Sequence, residues 1–108
     1  MAMYLVCLTL LMAACWPAVS SAADKSAEGK AILQKYCARC HAIESVGESP
    51  LKAAPPMRDI YGRYATRELQ QELSEGMVSK HKEMPQINFS DEDVAAILVY
   101  LYDLARSK

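Results

Sequence analysis

The five residues Cys37-Ala38-Arg39-Cys40-His41 carry more chemistry than any other stretch of this 108-residue chain. Two thiols two residues apart, with an imidazole directly after them, admit three uses. A redox dithiol expects a βαβ setting, and no run of alternating apolar and polar residues long enough for a sheet occurs here. A structural zinc site closes four ligands. Cys37, Cys40 and His41 supply three, and His81 would be the fourth, but His41 beside Cys40 strains that geometry. The third use is covalent attachment of a c-type haem, for which C-x-x-C-H is the signature. In that use both thiols form thioethers to the macrocycle, and His41 is the proximal iron ligand.

Iron so held needs a second axial ligand or an open position. The segment Lys80-His81-Lys82-Glu83-Met84-Pro85-Gln86 offers one. Met84 lies among charged residues and before a proline that fixes the backbone, a poor setting for a gap-filling core methionine. It is the expected axial ligand, and His81 is its rival. Met77 continues the apolar face of a helix and is expected in the core. Met57 is expected as core or as haem wall.

The elements that must position these residues read as three helices joined by long irregular loops. Ser26 to His41 carries apolar residues at Ala27, Ala31, Ile32, Leu33 and Tyr36, with Glu28 early and Lys35 and Arg39 late, as the helix dipole favours. Thr66 to Met77 spaces Leu69, Leu73 and Met77 by four, with Thr66 as N-cap and Gly76 near the end. Ser90 to Lys108 begins with a capping box, Ser90 and Asp93. Val94, Ile97, Leu98, Leu101 and Leu104 then make one apolar face. The loops carry Gly47, Pro50, Pro55, Pro56 and Pro85. Loops of that length in so small a chain call for something to wrap around.

Residues 1–23 differ in composition from the rest. They hold no charged side chain and an apolar run of about a dozen residues, short of the roughly 20 that span a bilayer. This reads as a secretory signal ending near Ala22 or Ala23, with residues 24–108 as the mature domain, although no Lys or Arg marks its start. Cys15 opens the alternative of lipid attachment, the one route by which a membrane would be a partner, and Met12 three residues earlier is a poor fit to it. All 12 basic and 13 acidic residues follow this segment, for a net charge of −1. That balance excludes a nucleic-acid binder. Of four cysteines only Cys37 and Cys40 remain in the mature part. A disulfide between them would close too small a loop to constrain the unfolded chain much.

With the Cys37–His41 motif, Met84-Pro85 and this helix order, the chain resembles the class I monohaem c-type cytochrome family across its mature length. The resemblance implies a small all-α fold, three main helices and long loops wrapped around one haem c bound through Cys37 and Cys40. Gly29 stands where that family lets its first and last helices cross closely, with Ile97 and Tyr100 as the positions meeting it. Pro55-Pro56-Met57-Arg58-Asp59-Ile60-Tyr61-Gly62-Arg63 resembles another family segment. By that match the Pro55 carbonyl accepts the proton on the ring nitrogen of His41 away from the iron, and Arg63 lies near a haem propionate. Ala54 departs from the glycine usual before that proline. His81, three before Met84 as in some bacterial relatives, keeps the axial ligand open.

The function implied is a periplasmic one-electron carrier with His41/Met84 ligation, which suits reversible electron transfer rather than substrate chemistry. A dehydrogenase or quinol-oxidising complex would be its donor, and an oxidase or reductase its acceptor. Two alternatives stand beside it: a haem subunit docked to a periplasmic dehydrogenase, and a peroxidase-like or ligand-sensing protein using His81. Lys35, Arg39, Lys80 and Lys82 would give the haem edge a mildly basic rim, against an ordinary solvated surface with Glu44, Glu48 and Glu83 interspersed.

Overall fold

A computed structural model describes residues 16–76 and 84–107. It contains four helices: α1 (Ala22–Tyr36), α2 (Met57–Arg63), α3 (Thr66–Glu75) and α4 (Asp91–Arg106), with no strand among the described residues. The fold is all-α, as expected, with one helix more than the three expected from the sequence. α2 escapes a reading by periodicity because it is seven residues long, follows two prolines and contains Gly62. So short a helix owes its existence to packing rather than propensity, and Met57 and Ile60 are its buried residues.

The two long helices begin the same way. Ser21 Oγ accepts the Asp24 N–H while the Asp24 carboxylate accepts the Ser21 N–H. Ser90 and Asp93 repeat this capping box at the start of α4. The first box lies upstream of the expected helix start, so the expected boundary at Ala23 falls inside the first turn of α1. α3 starts one residue off expectation: Ala65 occupies the cap position without a side-chain bond, and Thr66 is the first helical residue.

α4 is the central element and packs against α1, α2 and α3. Its expected face is the core, with Val94, Ile97, Leu101 and Leu104 buried and Leu98 half-buried. The face of α1 is narrower than expected. Only Gly29 and Leu33 are buried; Ala27, Ala31 and Tyr36 are exposed. The reason is Gly29. A Cβ there would collide with the Ala96 carbonyl, lying 2.5 Å from its carbon and 3.0 Å from the Ile97 nitrogen. Backbone thus meets backbone where the two helices cross, and little side-chain width is needed. Tyr100, expected at that crossing, is buried on α4 and donates its hydroxyl to the Ile43 carbonyl at 2.6 Å. No helix among the described residues is long and apolar enough to cross a membrane.

Candidate functional site

The Cys37–His41 segment is the unwinding end of α1. The Cys37 and Ala38 N–H groups both donate to the Leu33 carbonyl, at 2.8 and 3.0 Å, and the Cys37 carbonyl then accepts from Cys40 and His41, at 3.1 and 2.9 Å. One tight turn therefore presents both thiols and the imidazole from a rigid helix end. Both cysteines are free thiols and half-buried. Burial, and secondarily Cys40, pushes the Cys37 thiol up to about 11. Reactive dithiols shift the other way.

His41 Nδ1 donates to the Pro55 carbonyl at 2.7 Å. A carbonyl only accepts, so this contact places the hydrogen on Nδ1 and leaves Nε2 with its lone pair. The tautomer is the one an imidazole metal ligand requires. The bond sits in a larger brace, since the Met57 N–H donates to the Ala42 carbonyl at 2.8 Å. The proline segment and the histidine segment are thereby held side by side.

Two cavities meet at this turn. One, of about 160 Å³, is walled by core residues that include Leu33, Met57, Leu73 and Leu101. The other, of about 510 Å³, runs along Tyr36, Cys40, Leu51 and Ala54. Cys37, His41, Pro55, Met84 and Pro85 line both. The structure thus brings Cys37, His41, Pro55 and Met84 to one place, with Cys40 on the wall of the larger cavity. Arg63, exposed at the end of α2, lines the smaller one. Met57 is both core and cavity wall. His81 and Met77 lie outside the described residues, as do Lys80, Lys82 and Glu83.

Three lining or bracing residues escape a reading of the sequence. Ser49 accepts the Ala42 N–H at 2.9 Å, yet within Gly-Glu-Ser-Pro it reads as ordinary turn chemistry. Tyr64 and Glu72 also line the smaller cavity. Glu72 looks like a solvated face residue of a polar helix, and only its proximity to Leu69 and Leu73 on one side hinted otherwise.

The donors at the turn where the two cavities meet are the His41 imidazole, the Met84 thioether and the two free thiols, with the Met57 thioether and the Glu72 carboxylate farther along the smaller cavity, set in mostly apolar walls. Among the described residues no group of three or more His, Cys, Asp and Glu side chains has metal-holding geometry. The set fits a covalently tethered haem: the thiols of Cys37 and Cys40 could hold the ring, His41 and Met84 could ligate its iron, and the mostly apolar walls suit the macrocycle.

No curated protein and no solved structure matches the chain. The sequence model of the family described as cytochrome c oxidase, cbb3-type, subunit III, matches residues 24–101. That match takes in all the site residues above, from Cys37 to Met84, and the close approach of Gly29 to Ala96. The chain belongs to this family, a class I c-type cytochrome domain, and is in this sense a haem-based electron carrier.

Proposed function

We propose that the chain carries one electron at a time in the periplasm, using a single haem c attached through Cys37 and Cys40 and ligated by His41 and Met84. The observation that carries this reading is the pairing of an oriented imidazole and a thioether on the same two cavities. His41 Nδ1 is committed to Pro55, and Met84 lines both spaces that His41 lines.

A haem held by these residues would supply a one-electron ferric/ferrous couple. The residues do the rest. The Cys37 turn fixes the attachment points relative to His41. Pro55 keeps the imidazole in one tautomer and raises its basicity. Leu33, Ile97 and Leu101 exclude water from one side. Arg63 supplies a cation at the rim for an acidic substituent. With His41 and Met84 both ligating, the iron would have no position open for a substrate, which favours a carrier over the peroxidase-like and sensing readings.

Export is supported by the charge-free apolar leader over residues 1–23. The family description favours redox partners in a respiratory complex, with a quinol-oxidising complex or dehydrogenase as donor and an oxidase as acceptor. A subunit of a periplasmic dehydrogenase has the same site and differs only in being permanently docked.

The test is the visible spectrum of the oxidised, periplasmically expressed protein beside Met84→Ala. A weak red band, characteristic of thioether sulfur on ferric iron, is expected in the parent and absent from the variant. A parent without that band refutes Met84 ligation. A protein without covalent haem refutes the assignment of Cys37 and Cys40.

A further inference from the structure

We propose that Ser49 and Tyr100 are positioning residues for His41, acting through the backbone that follows it. The inference rests on the reading of His41 as an iron ligand.

Three successive peptide groups after His41 are each tied to a different part of the fold. The 41–42 peptide gives its N–H to Ser49 Oγ, at 2.9 Å. The 42–43 peptide takes the Met57 N–H on its carbonyl, at 2.8 Å. The 43–44 peptide takes the Tyr100 hydroxyl on its carbonyl, at 2.6 Å, in a buried setting. One anchor comes from the loop, one from the start of α2 and one from α4.

The geometry has a direct consequence for the imidazole. The ring hangs on the His41 Cα, and the plane of the 41–42 peptide sets the backbone torsion there. Ser49 fixes that plane. The ring's own acceptor, Pro55, lies two residues before Met57, whose N–H binds Ala42. Histidine backbone, proline carbonyl and ring therefore form one closed loop of bonds, in which the orientation of the 41–42 peptide decides how well Nδ1–H meets the carbonyl. Ala42 and Ile43 are themselves buried, so water does not substitute for a lost partner without rearrangement. Ser49 and Tyr100 are the two anchors supplied by side chains, and so the two that substitution can remove.

Losing either hydroxyl lets the peptides reorient and weakens the Nδ1–H to Pro55 bond. A less strongly bonded imidazole is a less basic ligand, which stabilises ferric iron less and raises the midpoint potential. Ser49→Ala and Tyr100→Phe are each expected to change the oxidised-to-reduced ratio two- to threefold at the parent's midpoint, about 20–30 mV upward at 59 mV per decade. Ser49→Thr, which keeps the hydroxyl, restores the parent value.

The experiment is spectroelectrochemical titration of the haem-loaded parent, Ser49→Ala, Ser49→Thr and Tyr100→Phe, with melting curves for each. Ser90→Ala, which removes the α4 cap far along the chain from His41, is the control for general loosening. Upward shifts in Ser49→Ala and Tyr100→Phe, rescue by Thr, and no shift in Ser90→Ala support the proposal. Lower melting temperatures with unmoved potentials overturn it, as does an equal shift in Ser90→Ala. Failure of the underlying site is separately visible: if His41→Ala keeps the parent's spectrum, the ligand assignment falls, and the positioning role falls with it.

Discussion

Replacing Gly29 by alanine tests the fold at the point where its two longest helices touch. The added Cβ would lie 2.5 Å from the Ala96 carbonyl carbon, against the 3.4–4 Å of ordinary contact, so α1 and α4 must separate by about 1 Å. Nothing flexible can yield, because the obstacle is backbone inside a helix. The gap opens beneath Leu33, Val94, Ile97 and Leu101, all nearly fully buried. Each such side chain contributes about 1.5–3 kcal/mol by burial, and a gap of 0.5–1 Å forfeits about a quarter to a half of the dispersion well. Across the four this is about 1.5–6 kcal/mol, offset by about 1 kcal/mol from the better helix propensity of alanine. The net cost is about 0.5–5 kcal/mol, at its upper end a large share of the stability of a small domain. In a thermal melt it appears as a fall of about 2–40 °C. Gly62→Ala is the matched control: it lies inside α2 with nothing within 4 Å of the new Cβ, so its melting temperature holds or rises. A Gly29→Ala protein that melts within about 1 °C of the parent, or above it, refutes the close crossing, since that is less than the smallest loss expected.

Two further predictions concern charge. Arg63→Gln removes the cation at the rim of the smaller cavity and is expected to lower the midpoint potential with the spectrum unchanged; an unmoved midpoint rules out a propionate beside Arg63. The alkaline limb of stability carries two contributions of one sign. Burial, and secondarily the Glu44 charge, raises the Tyr100 hydroxyl above its usual value, and the hydrogen bond and charge of Glu44 raise Lys30. Both groups bind their protons more tightly folded than unfolded, so their stabilisation is complete below about pH 10 and is lost as pH rises through the folded values. Denaturant melts at about pH 8 and about pH 11 should show less alkaline loss in Tyr100→Phe than in the parent. Equal losses would show that Tyr100 does not contribute.

What was legible in the sequence follows from the range over which each signal acts. The capping box Ser90–Asp93 and the apolar face of α4 are decided within one helix, and the structure has both. The face of α1 was misjudged because counting apolar residues cannot reveal that a glycine brings two backbones together, which narrows the buried strip to Gly29 and Leu33. α2 lay hidden because its two turns are held by contacts with α4, not by its own residues. The site divides the same way. Cys37, Cys40 and His41 are named by local spacing, while the Ser49–Ala42 and Tyr100–Ile43 bonds join residues 7 and 57 apart. No periodicity or short motif encodes a partner at that separation.

The core and the site share side chains, and that sharing dictates which substitutions can separate stability from function. Leu33, Met57, Leu73 and Leu101 belong to the core cluster and also wall the smaller cavity. Truncating any of them removes packing from α1, α2, α3 or α4 while reshaping the space beside His41. A change in potential from such a variant therefore cannot be assigned to the site, because the core has loosened with it. Met84 and Arg63 line the cavity without belonging to the core cluster. Their substitution perturbs the cavity beside His41 while leaving the α1–α4 crossing intact. The division has a physical origin in the size of the domain. With about 85 residues after the uncharged first 23, too little apolar surface is available to build a core and a separate apolar pocket, so one set of side chains does both. Folding and the geometry around His41 are coupled through those side chains, and only residues on the open side of the cavity can tune one without the other.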